Sequence, residues 1–282
     1  MADIDGTMAA EPALDLTPET GLRHLWRALA DIADGCRMWR LGCTLGWLDI
    51  KLRYRGSILG PLWLTVSTAV MVAAIGSVYG ALFHMELHHY LPFLSISLVL
   101  WGYVSGIAGD GCQVFTRAAG LIQAARIPFT VHAIRSVVRN ALVLAHNLAV
   151  IIVVFAVFRL MPAHLLAEIP VLALWAIDSL ALSLALGVLG TRFRDIPPII
   201  GSLLQIAFFV TPIMWEPGLI FAGRQYMLLN PFYPLFEILR GPLMGEVPRL
   251  SIWIAAGGYS VVLWVVTLLL FSRLRSRLAY WV

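Results

Sequence analysis

Long runs without a charged residue constrain this chain more than any other feature. Asp, Glu, Lys and Arg are absent from 56–85, 87–109, 140–158, 196–215 and 250–272, and a sixth run, 169–191, is broken only by Asp178. About 20 apolar residues make one helical crossing of a bilayer. With 60% apolar and 13% charged residues, and a mean hydropathy of +0.84, the chain has too much apolar surface for a soluble core. The fold expected is an all-α integral membrane protein with six transmembrane helices. An N-terminal amphipathic interfacial helix precedes them, and a re-entrant helix pair on the periplasmic side interrupts the chain before the last span.

The basic residues exclude several kinds of chemistry. Lys51 is the only lysine among 20 basic side chains. A Walker-type loop needs a lysine after its glycines to hold nucleotide phosphates, and Lys51 lies between Ile50 and Leu52. The chain is therefore expected to have no ATP site of its own and not to be an enzyme. Schiff-base chemistry would fall to the same lysine, in a basic stretch without the apolar burial that depresses a lysine pKa. Cys36, Cys43 and Cys112 have neither C-x-x-C spacing nor surrounding histidines, so no bound metal or cofactor is expected. Grouped carboxylates, or a nucleophile beside its base, would mark a membrane-embedded hydrolase or transferase, but Asp110, His146 and Asp178 lie on different spans.

Charge also orients the chain. With a cytoplasmic N-terminus and six spans, sixteen basic residues fall on inner segments, and only Arg159, Arg224, Arg240 and Arg249 fall outside. That bias places both termini in the cytoplasm. Residues 1–21 are acidic and carry Pro12 and Pro18 but no basic n-region, so they read as a disordered cytoplasmic tail rather than a signal peptide. In the interfacial segment, 22–55, Leu22, Leu25, Trp26, Leu29, Ala33 and Cys36 recur at helical spacing, opposite Arg23, Arg27, Asp31 and Asp34. Such a helix suits the headgroup layer. The transmembrane domain is 56–282.

Two connections within it are too long for turns. The inner one, 113–128, mixes Phe115, Leu121, Ile122 and Ile127 with Arg117 and Arg126, which fits a short surface helix ended by Pro128. The outer one, 216–249, is apolar but cut by Pro217, Gly218, Gly223, Pro231, Pro234, Gly241 and Pro242. Neither half can span, which makes it re-entrant, a state allowed only where protein or a wet cavity satisfies the interrupted backbone.

Four stretches carry a resemblance. They are 49–63 (DIKLRYRGSILGPLW), 125–128 (ARIP) leading to Arg139 and Asn140, 191–196 (TRFRDI), and 230–235 (NPFYPL) through Arg240 and Gly241. In order and spacing, from about Leu45 to the C-terminus, they resemble the membrane (permease) subunit of type-2 ABC exporters, in the polysaccharide, O-antigen and capsule branch. The resemblance implies a coupling helix between the second and third spans and periplasmic re-entrant helices before the sixth. It also implies a homodimer bound to two copies of an ABC ATPase in the bacterial cytoplasmic (inner) membrane. ATP and Mg would belong to the ATPase, and the substrate would be a lipid-linked glycan. Membrane lipids are further partners, and no nucleic acid is expected. A permease for small amphiphiles or drugs is the same-class alternative. A secondary transporter is the other, though the broken element occurs once and Asp178 is the only carboxylate deep in a span.

Candidate residues follow. Arg117, Gln123 and Arg126 are the ATPase-coupling candidates. Lys51, Arg53, Arg55, Arg192 and Arg194 form a basic face that sets topology and meets anionic lipid, or draws in the diphosphate of a lipid-linked sugar chain. Asp195, beside Arg194 and before Pro197 and Pro198, reads as a helix cap in a local ion pair. His146, Asn147 and Asp178 need polar partners within the bilayer, by interhelical hydrogen bonds or by substrate. Trp101 and Tyr103 are candidates for a sugar path, and Phe232 and Tyr233 for its outer gate; core packing is the competing role for all four.

Overall fold

A computed structural model describes residues 23–58, 60, 62–82, 84–162, 165–217 and 224–282. The expected tail at 1–21 lies outside the described residues, as does 218–223 of the expected gate. Among the described residues there are α-helices and short 3-10 turns but no strand. In chain order the helices are α1 (Arg23–Arg37), α2 (Trp39–Arg53), α3 (Leu62–Leu82), α4 (Leu87–Gly111), α5 (Ala119–Ala124) and α6 (Phe129–Val157). They continue as α7 (Glu168–Arg192), α8 (Ile196–Val210), α9 (Arg224–Met227), α10 (Phe232–Leu243) and α11 (Leu250–Trp281). Five of them, α3, α4, α6, α7 and α11, are long and apolar enough to cross a membrane.

Helices α4 and α7 form the centre, largely buried among α3, α6, α8, α10 and α11. The surrounding helices turn Val66, Val70 and Met71 (α3), Leu203, Ile206 and Phe209 (α8), and Val261, Val262 and Val265 (α11) outward. That inversion of a soluble surface matches a lipid environment, where apolar side chains lose nothing by facing out. Small residues and hydroxyls sit between the helices. Gly190 of α7 lies so close to the end of α4 that a Cβ there would collide with the Cys112 carbonyl. Thr267 of α11 donates to the Ala181 carbonyl of α7 at 3.1 Å.

Three boundaries differ from the charge-free runs. The first span begins at Leu62 rather than 56, because Gly56 and Gly60 turn the chain at φ +86° and +55°, a region open to glycine. Helix α6 begins at Phe129, well before the run at 140, and carries a polar face beyond the apolar stretch. The fifth span is the largest departure. Helix α8 has 15 residues, about 22 Å at 1.5 Å per residue, short of a hydrocarbon core of about 30 Å. It stops because Pro212 forces the preceding residue out of the helical region, and Thr211 is extended at ψ 139°.

The inner connection forms a 3-10 turn at Thr116–Ala118 and then α5, which ends at Ala124, before Pro128. Pro128 is instead the residue that precedes α6. In the outer connection, among the described residues, α10 is the one well-formed short helix; α9 is a single turn, and 218–223 lie outside the described residues.

The α1 helix corrects one reading of the amphipathic pattern. Its apolar face is unpacked, with Trp26 72% exposed, as an interfacial helix requires. A second face, made of Ala28, Asp31, Ile32 and Gly35, packs on α6 and α11. Asp31, sequence-assigned to the solvated side, is 3% exposed. Its carboxylate accepts the backbone N–H of Phe129 at 3.2 Å and Thr130 at 3.0 Å, the Thr130 hydroxyl at 2.8 Å, and Arg275 Nε at 2.9 Å. Pro128 supplies no side-chain cap for α6, so a carboxylate from another helix binds the free N–H groups. Helix α2 reaches α6 through Gly42 and Gly46, where a Cβ would meet Ile134 and the Arg135 carbonyl at 2.6 and 2.8 Å.

Removing the Asp31 carboxylate should loosen α1, α6 and α11 together. Asp31→Ala leaves Arg275 and the α6 N-terminus without their anion, an expected loss of about 3–5 kcal/mol. The exposed pair Asp34 and Arg37 should tolerate Asp34→Ala without measurable change. Melting in detergent checks both, and equal melting of the two variants would refute the trans cap.

Candidate functional site

At the end of the bundle that carries α1, α2 and α5, a charged network joins three segments. Asp49 of α2 accepts a two-point contact from Arg135 of α6, with Nε at 2.7 Å, and a further bond from Arg139 Nη1 at 3.2 Å. Asp110, at the end of α4, accepts from Arg139 Nη2 at 2.7 Å, Asn140 Nδ2 at 2.9 Å and Arg117 Nη1 at 2.7 Å. Arg117 also donates to Gln113 at 3.1 Å. Planar guanidinium groups with several donors each suit such a shared, two-carboxylate lattice.

The coupling candidates stand on the outside of this lattice in different ways. Arg126 is exposed and makes no ion pair among the described residues. Arg117 is exposed but tied to Asp110. Gln123 of α5 donates to the backbone oxygen of Val282 at 3.2 Å, and Ile122, Trp281 and Val282 pack against the same buried cluster, so the end of α11 braces α5. Arg192 stacks over Trp281 at 5.2 Å. Lys51, Arg53, Arg55 and Arg194 are exposed. Asp195 occupies the N-cap position of α8, but its side chain makes no cap hydrogen bond, nor, among the described residues, an ion pair with Arg194. Pro197 and Pro198 remove donors that the cap would otherwise serve.

Three of the four aromatic candidates, Trp101, Tyr103 and Phe232, come together in one cluster, and Tyr233 lines the cavity beside Arg240. Trp101 meets Phe232 edge-on at 5.4 Å and also lies against Phe208 and Phe236. Phe236 continues to Trp175, which stacks on Tyr103 at 5.9 Å. Tyr103 shares a hydrogen bond with Ser179 at 2.9 Å. Trp101, Tyr103 and Tyr233 are buried within the protomer, whereas Phe232 keeps part of its surface free. Asp178 is linked to Ser260 of α11, whose hydroxyl donates at 2.6 Å, the interhelical bond that a buried carboxylate in a span requires. His146 bonds within its own helix to the Leu142 carbonyl, and its backbone oxygen accepts Thr65 of α3. Asn147 is buried nearby.

The residue that sequence reasoning missed is Arg240. It is 2% exposed, although it belongs to the outer connection. It pairs with Glu237, donates to Ser97 Oγ and to the Pro212 carbonyl at 2.9 Å each, and lies 4.1 Å above the Phe93 ring. The same broken backbone receives Tyr90 Oη at the Met214 carbonyl, 2.6 Å, while Asn230 donates to Thr211 Oγ1 at 2.9 Å. Beside Arg240 a cavity of about 290 Å³ is lined by His89, Glu216, Glu237, Glu246 and Arg249, with His89 and Glu216 3.1 Å apart. The available signal was a Glu three residues before an Arg, in a stretch otherwise poor in charge.

A helical bundle with an apolar exterior, a charged end and a broken, protein-satisfied segment at the other defines a multi-pass membrane protein. The chain belongs to the ABC-2 type transporter family, whose pattern it matches over residues 41–244. It is 27% identical over 191 residues to the O-antigen export system permease protein RfbA of Myxococcus xanthus, covering 66% of this chain and 74% of that one. It is 24% identical over 237 residues to a protein of the same name from Klebsiella pneumoniae, covering 82% and 90%.

The Arg240 centre predicts an asymmetric pair of variants. Arg240→Leu, which strands Glu237, should lower stability by about 3–5 kcal/mol, whereas the double change Arg240→Leu with Glu237→Leu should recover much of it. Folded yield and melting in detergent measure this. A double variant no better than the single would show that the hydrogen bonds to Ser97 and Pro212, not the buried charge, carry the site.

Proposed function

We propose that this chain is the membrane conduit of an ABC transporter that exports a polysaccharide or lipid-linked glycan across the bacterial cytoplasmic membrane. The observation that carries this is the similarity to O-antigen export permeases over most of both chains. The basic end faces the cytoplasm by the positive-inside bias, with both termini on that side, and the Arg240 end faces outward.

Force comes from a separate ATPase, which holds ATP and Mg; this chain has one lysine and no loop to cradle a nucleotide. The ATPase docks at α5 and the turn after it, where Arg126 is exposed and makes no ion pair among the described residues. Two permease copies with two ATPases complete the conduit, since one bundle whose centre is filled by α4 and α7 leaves little room for a hydrated sugar chain. Of the aromatic candidates, Phe232 meets the sugar and Trp101 backs it; sugar C–H faces slide across aromatic rings without fixed hydrogen bonds.

Deleting the gene should cause lipid-linked polymer to accumulate in the cytoplasm, and unchanged surface glycan would refute export. Arg126→Glu should release or uncouple the ATPase in a protein that still inserts, because Arg126 is exposed and holds no ion pair among the described residues. Normal export with that variant and a fully active bound ATPase would remove the coupling assignment. Phe232→Ala should slow export in an assembled complex, and an export rate equal to the parent's would exclude Phe232 from the sugar path.

A further inference from the structure

Two buried polar side chains without hydrogen-bond partners among the described residues, His132 and Ser136, line one cavity. It measures about 300 Å³ and lies between the last turn of α2, the segment after α4 and the first turns of α6. Arg53 and Arg117 stand at its exposed rim, while Arg135 and Arg139 form a wall with Asp49. His132 and Ser136 also line it. These two are 0% and 1% exposed, and among the described residues neither ring nitrogen of His132 nor the Ser136 hydroxyl has a hydrogen-bond partner. They lie four residues apart on α6, on the face that carries Arg135 and Arg139, so their polar atoms belong to a single surface.

Three considerations name the occupant. Four guanidinium groups face only two carboxylates, Asp49 and Asp110, which leaves positive charge in excess. The carboxylates hold Arg135 and Arg139 in fixed positions, so an anion meets donors already oriented and little ordering cost remains. Buried polar atoms without a partner are rare in folded proteins, and a ligand oxygen would supply one to each. Exposed apolar side chains of α2 stand beside the basic rim of the cavity, Leu52 at 62% and Trp47 at 57%, so the anion that fits here is carried by a molecule that lies in a lipid surface.

We propose that this cavity binds the phosphate or diphosphate group of a membrane lipid, gripped by Arg53, Arg117, Arg135 and Arg139 and seated against His132 and Ser136. Phosphate recognition stands independently of the export reading; only the choice of a diphosphate lipid carrier rests on it.

The test uses the permease–ATPase complex in nanodiscs of neutral lipid doped with phosphatidylglycerol or with a polyprenyl diphosphate, and inorganic pyrophosphate as a soluble competitor. Retained lipid is counted by native mass spectrometry. Ser136→Ala should weaken retention about fivefold and Arg53→Gln about tenfold, the loss of a neutral and of a charge-assisted hydrogen bond. Ser136→Ala should melt no lower than the parent, because its hydroxyl has no partner among the described residues. Weakening confined to polyprenyl diphosphate assigns the cavity to the carrier; equal weakening with phosphatidylglycerol assigns it to the phosphate of bulk lipid. Retention within about twofold of the parent for both lipids in both variants overturns the proposal. So does lipid binding by the isolated permease that vanishes in the complex, since the ATPase would then cover the cavity. Normal retention in the variants, with polymer accumulating in the deletion strain, would sink the site and leave the export reading intact. Lost retention without accumulation would do the reverse.

Discussion

A peptide backbone cannot be left open within a membrane, and the break after α8 makes that requirement acute. Pro212 ends the helix about one and a half turns short of a full crossing, which exposes carbonyls at a depth where water is scarce. The chain meets the deficit with side chains drawn from distant segments. Arg240 reaches the Pro212 carbonyl, Tyr90 the Met214 carbonyl, and Trp215 the Phe209 carbonyl. The packing of α4 against α10 follows from this. A guanidinium that serves a backbone oxygen, a serine, a glutamate and an aromatic face at once fixes three elements, α4, α10 and the segment after α8, relative to one another. It requires a buried carboxylate beside it, which Glu237 provides one turn away.

The opposite end is organised by anions among many cations. Asp31, Asp49 and Asp110 each bind groups from helices remote in sequence, and together they seat α1 and α2 on α6. Close seating needs small residues as well, which explains Gly35, Gly42 and Gly46 along the contact. The result is a rigid charged plate beneath the bundle, with Trp26, Trp39 and Trp47 left facing out at the depth where indoles anchor a protein to headgroups.

Much of this was readable in the sequence, for definite reasons. Runs without charge locate the spans because a charged group in hydrocarbon is costly, and five of the six runs hold a long helix. The same runs say nothing about backbone continuity, so the break at Pro212 was hidden even though its cause is a single proline. Helical periodicity separated the apolar stripe of α1 from its charged side. It could not show that Asp31 faces the bundle rather than water, because a buried, hydrogen-bonded carboxylate and a solvated one look alike in a pattern. Asp49 with Arg139, and Asp110 with Asn140, are pairs separated by whole helices, and only the fold reveals them. The sequence named the aromatic candidates without their setting: Trp101 and Tyr103, two positions apart on one helix, point to different neighbours within a single cluster.

Helix α11 runs without interruption for 32 residues, about 48 Å, from the cavity beside Arg240 to the carboxyl end that braces α5. A rod of that length has leverage. A tilt of about 5° about its middle carries each end through about 2 Å, enough to break a hydrogen bond. Its partner α7 is joined to it midway by the Asp178–Ser260 and Thr267–Ala181 bonds, which would act as a fulcrum rather than as a brake. A small displacement of α5 therefore reaches the polar rim at the far side of the bundle as motion of a single rigid piece, with no relay of side chains between.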